Sequence, residues 1–239
     1  MEILNQVLIV LALSFLPPLL WLWFWLREDE HPEPRREILV VFLAGMGGVV
    51  LAIFLESAFS SANSALQKFF GYGVLTLRVL SVIGFAFFEE ITKMAAAFFT
   101  ALRSKYFDEP VDAMIYLVTA ALGFAALENA MFIGKALEGG VAQSAAVGAF
   151  RFINAVLLHV SSSALIGAGF AFSFFHKEKR LGELALGLFF AVLLHALYNL
   201  FIIVNIGGAV LNQLAVTALV VLGASTALVL FERARRAII

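Results

Sequence analysis

The chain has 239 residues, of which 62% are hydrophobic and 14% are charged. A soluble domain usually carries about 45–50% apolar and about 25% charged residues. This composition therefore excludes a soluble protein and indicates an integral membrane protein. The formal net charge of -1 argues against nucleic acid as a partner. Cysteine is absent, which excludes disulfides and thiolate metal ligands.

Seven apolar segments, each near the ~20 residues that a bilayer core requires, follow one another along the chain. They predict an all-α fold, a polytopic bundle of about seven transmembrane helices in a single membrane domain over residues 1–239. The first segment is too long and lacks the basic flank of a cleavable signal peptide, so we expect it to span. Residues 60–73 are too polar to span and predict a separate interfacial helix on the outer surface. The predicted spans are 4–26, 38–59, 76–102, 112–134, 148–175, 183–204 and 210–231.

The basic residues of the predicted loops lie almost entirely on one side of the membrane. Because positively charged loops remain in the cytoplasm, this asymmetry predicts a multi-pass protein of the plasma membrane with its N-terminus outside and its C-terminus in the cytoplasm. Two basic residues, Lys68 and Lys135, lie on the opposite side. The eleven on the predicted cytoplasmic side are Arg27, Arg35, Arg36, Arg103, Lys105, Lys177, Lys179, Arg180, Arg233, Arg235 and Arg236.

The third predicted helix carries Glu89, Glu90 and Lys93 within the apolar sequence FAFFEEITKM. One charge at the centre of a membrane helix costs roughly 2.5–3.5 kcal/mol, and such residues usually serve chemistry or transport inside a bundle. Lys93 lies one turn after both acids, so an ion pair that lets the helix insert accounts for one glutamate. The second carboxylate remains in excess. An excess carboxylate beside another one suits a general base.

Glu128, His159 and His195 lie deep in the next three predicted helices. At a rise of about 1.5 Å per residue, these side chains and Glu89 fall within about two helical turns of one plane, toward the outer leaflet. Each helix carries a further polar side chain close by. These are Asn129, Ser163 and Asn199. The sequence therefore predicts one buried polar site between helices three to six.

Four motifs in this order resemble the PrsW family of intramembrane proteases, which shares a superfamily with the type II CAAX prenyl endopeptidases and the APH subunit of γ-secretase. The resemblance covers residues 75–205 and includes the sequences FDEPVDAMIY and GFAALENAMF. No motif glutamate or histidine is missing. The motifs are Glu89-Glu90-x-x-Lys93, Phe124-x-x-x-Glu128, Arg151 followed by His159-x-x-x-Ser163, and His195-x-x-x-Asn199.

The resemblance implies hydrolysis of peptide bonds within or beside the lipid bilayer, with a membrane protein or peptide as substrate. The best-known role in this family is the first, site-1-type cut of an anti-sigma factor. Hydrolysis of an amide requires an activated water, a stabilised oxyanion and a proton for the leaving amine. Glu89 or Glu90 is the candidate base, and Lys93 holds the other acid as a carboxylate. The expected catalytic set is Glu89, Glu90, Lys93, Glu128, His159, His195 and Asn199.

Two versions of this chemistry remain open from the sequence. In one, His159, His195 and Glu128, with Glu89 or Glu90, bind a divalent metal such as Zn²⁺, which accepts imidazole and carboxylate ligands. In the other, the glutamates hold the water without a metal, and His195 and Asn199 donate hydrogen bonds to the oxyanion. The surplus of negative charge favours the metal.

Two other classes of protein also place acids and histidines inside a membrane. A non-catalytic scaffold or chaperone of the same fold would be expected to lack the adjacent glutamates. A proton-coupled transporter would use mid-membrane carboxylates, but many transporters contain internal repeats with paired broken helices, and no such repeat is present.

Overall fold

The computed structural model describes residues 2–204 and 208–237, and long α-helices account for most of them. Short 3₁₀ turns at Leu137–Gly139 and Lys177–Lys179 lie in two of the connections. The described residues thus form the all-α fold that the sequence predicts. The long helices are α1 (Glu2–Arg27), α2 (Arg35–Phe70), α3 (Val74–Thr100), α4 (Pro110–Ala136), α5 (Val141–Phe172), α6 (Arg180–Val204) and α7 (Ala209–Arg236).

Six of these helices are long and apolar enough to cross a membrane. The remaining helix, α3, carries Glu89, Glu90 and Lys93 in its central turns, and these charges lower its apolar character. It nevertheless packs against α2 on one side and α6 on the other, within the bundle. The polytopic membrane architecture is therefore confirmed, and these three charged side chains lie on the buried face of α3, while Leu75 and Phe99 of the same helix are exposed.

Five helices form a ring in the order α2, α3, α6, α5 and α4, and each contacts the next. Helix α1 packs against α4 and α5 from outside the ring, and α7 packs against α5 and α6. Helix α4 is the most enclosed, because its central residues are buried on every side. The helices that carry the predicted polar residues thus face one another across the ring.

Close contact between α2 and α4 depends on two glycines. A Cβ atom at Gly123 of α4 would lie 2.0 Å from the carbonyl oxygen of Phe42, and one at Gly45 of α2 would lie 2.1 Å from that of Ala120. Only hydrogen atoms fit between the two backbones at these points. Small residues at such crossings give membrane helices the tight packing that lipid cannot supply. This crossing holds the middle of α4 beside the first half of α2.

The prediction of a separate interfacial helix at residues 60–73 is wrong. Helix α2 continues without a break to Phe70 and ends at Gly71, which has a left-handed φ of 70°. Between residues 56 and 70 the chain contains no glycine or proline that would end a helix. The extension is also bound to α3, because the Asn63 amide donates to the Ser81 hydroxyl at 3.1 Å. Tyr72 in turn donates its hydroxyl hydrogen to the Asn63 side chain at 2.5 Å.

The acidic sequence before α4 forms a local cap. The Asp112 carboxylate accepts hydrogen bonds from the backbone N–H groups of Asp108 and Glu109, at 3.0 and 2.7 Å. Glu33, in the loop before α2, accepts a hydrogen bond from the Tyr116 hydroxyl. Burial raises the pKa of the Glu33 carboxyl. These contacts join the first loop to the start of α4, at the end of the bundle that carries the basic loops. We call this end the basic end; the sequence predicts that it is cytoplasmic.

Replacement of Gly123 by alanine should destabilise the protein, because the new methyl group would overlap the backbone of Phe42. Overpacking of this kind costs about 1–3 kcal/mol. The matched control is Gly47→Ala, since a Cβ there has no neighbour within 4 Å. Thermal unfolding in detergent should show a lowered midpoint for Gly123→Ala alone. Equal midpoints for the two variants would contradict this packing.

Candidate active site

A cavity of about 490 Å³ lies inside the ring of helices. Its lining includes Glu89, His159 and His195 at one end, and Phe132 and Ile202 nearer the helix termini that face away from the basic end. The walls are mostly apolar, as in most small-molecule sites, and its volume lies within the usual range of roughly 300–1,000 Å³. The cavity therefore leads from the polar residues toward the end opposite the basic loops.

Glu90 is completely buried and fully engaged by hydrogen bonds. Its Oε1 atom accepts from Lys93 Nζ at 2.5 Å, from the Ser162 hydroxyl at 2.8 Å and from His195 Nδ1 at 2.7 Å. Its Oε2 atom accepts from the Ser163 hydroxyl at 3.3 Å. A buried carboxylate is tolerated only when its lone pairs are used in this way. Glu90 thus joins α3 to α5 and α6.

Lys93 is also completely buried, and it links Glu90 to a histidine. Its Nζ atom lies 3.0 Å from His159 Nδ1. An ammonium group can only donate, so the Nδ1 atom of His159 accepts and is unprotonated. The hydrogen of the neutral ring is then on Nε2, which lies 3.0 Å from Glu128 Oε2 and donates to it. A relay of hydrogen bonds therefore runs from Glu90 through Lys93 and His159 to Glu128.

Glu128 lies on the cavity wall and has a cationic partner. The Arg151 guanidinium donates to Glu128 and, through Nε, to the Asn129 side-chain oxygen at 2.5 Å. It also stacks on the Phe132 ring, with 4.3 Å between the guanidinium carbon and the ring centroid. Arg151, which the sequence analysis places in the third motif, therefore neutralises the glutamate of the second motif.

Glu89 differs from its neighbour Glu90 in its surroundings. It lines the cavity, and its buried Oε2 atom has no hydrogen-bond partner among the described residues. The nearest basic group is His195 Nε2, at 3.6 Å. Because His195 Nδ1–H donates to Glu90, Nε2 carries a lone pair. Two acceptor atoms thus face each other without a hydrogen between them, an arrangement that suits a bound water or cation.

The predicted site residues occupy two layers. Glu89, Glu128, His159, His195 and Asn199 line the cavity. Glu90 and Lys93 lie behind the wall and are fully buried. The rings of His159 and His195 are packed edge to face, with their centroids 5.2 Å apart.

Two further residues of the site were not identified from the sequence. Glu56 of α2 lines the cavity, and its signal was available, because it is an isolated acid in an otherwise apolar segment. Ser162 binds Glu90, but a serine beside two other serines carries no distinguishing signal. The prediction placed Ser163 near the site, and the structure gives Glu90 a hydrogen bond from both hydroxyls.

Glu89, His159 and His195 can each offer one ligand atom, and these three atoms lie within 4.8 Å of one another. The unpartnered Glu89 Oε2 atom and the lone pair on His195 Nε2 fit a divalent metal such as zinc. His159 fits after its Nε2 hydrogen is released, because a ligating nitrogen cannot carry one. Glu128, a predicted ligand, is held by Arg151 and His159 instead. Glu90, the other predicted alternative, is fully buried and is not among the residues that line the cavity.

The fold and the site together define a polytopic membrane protein with a water-accessible cluster of carboxylates and imidazoles, as in hydrolases that act within membranes. The family model described as PrsW family intramembrane metalloprotease matches residues 33–226. The chain belongs to this family. The predicted resemblance and the predicted enzyme class, an intramembrane protease that acts on protein substrates, are therefore confirmed.

Several similar proteins are named Protease PrsW. The one from Clostridioides difficile (strain 630) is 28% identical over 81% of this chain and 79% of its own length. The one from Geobacillus kaustophilus (strain HTA426) is 26% identical over 74% of this chain and 72% of its own length. The one from Bacillus subtilis (strain 168) is 28% identical over 74% of each chain. No solved structure matches this chain at a significant level.

The contact between Ser162 and Glu90 can be tested with a neighbouring serine as control. Ser162→Ala should lower the free energy of unfolding by about 1–2 kcal/mol, because a buried carboxylate loses a donor. Ser161 is equally buried, but its hydroxyl donates to the Leu157 carbonyl of its own helix, so Ser161→Ala should have a much smaller effect. Unfolding in mixed detergent micelles measures both. An equal loss in both variants would show that the Ser162–Glu90 contact contributes nothing specific.

Proposed function

We propose that this chain hydrolyses a peptide bond inside the cavity, with Glu89 as the group that activates the water. The observation that carries the proposal is the unpartnered, buried Oε2 atom of Glu89 on the cavity wall. A general base must have a free lone pair within hydrogen-bond reach of the water. Glu89 takes the proton from the attacking water and delivers it to the nitrogen of the leaving amine.

Glu90 has a different role in this proposal. Its oxygens already accept four hydrogen bonds, so it has little capacity left for a water. It is a positioning residue that fixes the tautomer of His195 by accepting from Nδ1–H, as carboxylates behind ligating histidines do. Lys93 neutralises Glu90 and supports His159 from behind. The adjacent glutamates of the EExxK motif thus divide into a reacting acid and a supporting acid.

We further propose that His159, His195 and one oxygen of the Glu89 carboxylate would hold a divalent metal such as Zn²⁺, while the other Glu89 oxygen accepts the proton of the water. When bound, such an ion acts as a Lewis acid that polarises the scissile carbonyl and lowers the pKa of its water. The unprotonated Nε2 atom of His195 favours this version, because that nitrogen cannot donate to an oxyanion in the neutral ring. Asn199 lines the cavity and its amide N–H₂ supplies a donor for the developing oxyanion.

The proposed substrate is a membrane protein that presents an extended segment at the cavity mouth. The positive-inside rule predicts that the basic end is cytoplasmic, so the mouth faces the outside of the plasma membrane. Cleavage would then fall on the outer side of a membrane-anchored substrate, which fits the site-1-type cut implied by the resemblance. An anti-sigma factor is a candidate of this kind.

Glu89→Gln should lower the rate of proteolysis by about 10²–10⁴-fold, the usual contribution of a general base. The variant should still fold, because loss of an intramembrane charge does not add to the cost of insertion. Purified protein in liposomes, mixed with a single-span test substrate, gives the rate by gel densitometry. The control is Glu138→Gln, which changes an exposed acid at the end of the bundle opposite the basic end. Full turnover by Glu89→Gln would remove Glu89 from the mechanism.

Metal dependence has its own test. A strong chelator should inactivate the protease, and Zn²⁺ or Co²⁺ should restore it. Metal affinity should decrease at low pH because a protonated imidazole cannot coordinate. Elemental analysis should give one metal per wild-type chain and much less for His195→Ala. His176→Ala is the control, since that side chain is 59% exposed in a loop at the basic end. Active protein without stoichiometric metal would exclude the metal version and leave the glutamate-activated water.

A further inference from the structure

We propose that Glu56 selects substrates that carry a basic side chain close to the scissile bond. This inference rests on the proposed function, because it assigns a substrate class to the same cavity. Glu56 lies on α2, half-buried, and shares the cavity wall with Glu89 and Glu128. An ionisable residue inside a membrane helix calls for a partner that justifies its cost.

The other acids of the site have their partners within the chain. Glu90 is paired with Lys93, and Glu128 with Arg151. Glu89 faces His195 and belongs to the group that can hold a metal. The ion pairs and side-chain hydrogen bonds found among residues 2–204 and 208–237 do not include Glu56. Of the four acids, it is therefore the one whose cationic partner would have to come from outside the chain.

The two cations of the site, Lys93 and Arg151, are not available to pair with Glu56. Lys93 is fully buried behind the wall and already contacts Glu90 and His159. The Arg151 guanidinium donates to Glu128 and Asn129 and is stacked on Phe132. Both cations would have to break buried contacts to reach Glu56. A substrate cation would reach it without breaking any contact.

The position of Glu56 indicates where that cation would lie. In the pairing of α2 with α3, Gly84 contacts Phe59 and Gly48 contacts Thr92. By interpolation along the two helices, Glu56 lies about one helical turn, or roughly 5–6 Å, nearer the cavity mouth than Glu89. An extended substrate rises about 3.3 Å per residue. A lysine or arginine within about three residues of the scissile bond, on the side toward the mouth, would therefore reach the Glu56 carboxylate.

The apolar wall of the cavity would strengthen an ion pair between Glu56 and a basic side chain of the substrate. Val49, Ile53 and Phe85 line the cavity near Glu56, so an ion pair formed there is only partly screened by water. A charge-assisted hydrogen bond of this kind contributes enough for roughly 10- to 100-fold discrimination against an uncharged side chain. An acidic side chain at the same place would be disfavoured, because it would meet the Glu56 carboxyl group without a cation between them.

The test uses full-length protein in liposomes and a family of single-span substrates. The parent substrate has an uncharged outer juxtamembrane segment of Ala, Ser, Thr and Gln, and mass spectrometry of the products locates its cut. Each position within four residues of the cut is then changed in turn to Lys, Gln or Glu. The quantity measured is the ratio of kcat/KM for the Lys substrate to that for the matched Gln substrate, which cancels any general change in activity.

For wild-type protein we expect a ratio of roughly 10–100 at one or two positions on the side of the mouth, and a ratio below one for Glu in place of Lys. Glu56→Gln should lower the Lys ratio to about one. Glu138→Gln, an exposed acid near the same end of the bundle, should retain the wild-type ratio. Glu56→Gln keeps the size of the side chain and removes a charge, so it should fold.

Two outcomes would overturn the inference while leaving the protease assignment intact. One is cleavage by wild type with no preference for charge, and the other is a Lys ratio in Glu56→Gln that is unchanged from wild type. If the unchanged ratio came with an equal loss of kcat/KM for Lys, Gln and Glu substrates, Glu56 would act in the chemistry or the packing. Failure of wild type to cleave any substrate above the Glu89→Gln background would instead overturn the proposed function, and this inference with it.

Discussion

The buried contact between Glu90 and Lys93 is the interaction on which the site depends. Both side chains are fully buried, and their charged atoms are 2.5 Å apart. Taking two charges out of water is costly, so the pair is acceptable only when the remaining hydrogen-bonding capacity is used. Hydroxyls from α5, one imidazole from α5 and one from α6 supply the remaining contacts. Satisfying one ion pair therefore fixes three helices around the cavity.

Adjacent glutamates receive opposite environments because of helix geometry. Successive residues of an α-helix point roughly 100° apart, so in α3 one acid faces the neighbouring helices while the next faces the ring interior. Glu90 lies among donors, and Glu89 lies at the cavity with a free oxygen. In the proposed mechanism, a single EE dipeptide thus supplies both the reacting carboxylate and the support that orients His195.

Much of the architecture was predictable from the sequence, because hydropathy and depth along a helix are local properties. All seven predicted spans correspond to helices, and counting 1.5 Å per residue placed Glu89, Glu128, His159 and His195 at one level. Rotation about the helix axis was not predictable in this way. Which of Glu89 and Glu90 faces the cavity depends on the neighbours of α3. The role of Ser162 and the length of α2 also depend on contacts with other helices.

The acids in and around the cavity fall into two classes, those that have a lysine or arginine partner and those that do not. Glu90 with Lys93 and Glu128 with Arg151 are neutral pairs that complete the bundle. Glu89 and Glu56 have no lysine or arginine partner among the described residues, and both face a mostly apolar cavity. An ionised carboxylate in an apolar cavity is unfavourable unless a cation binds beside it. Under the two proposals, a metal ion bound by Glu89 and a basic side chain bound by Glu56 supply that cation. The acids that lack a partner within the described residues would then also select what the cavity binds.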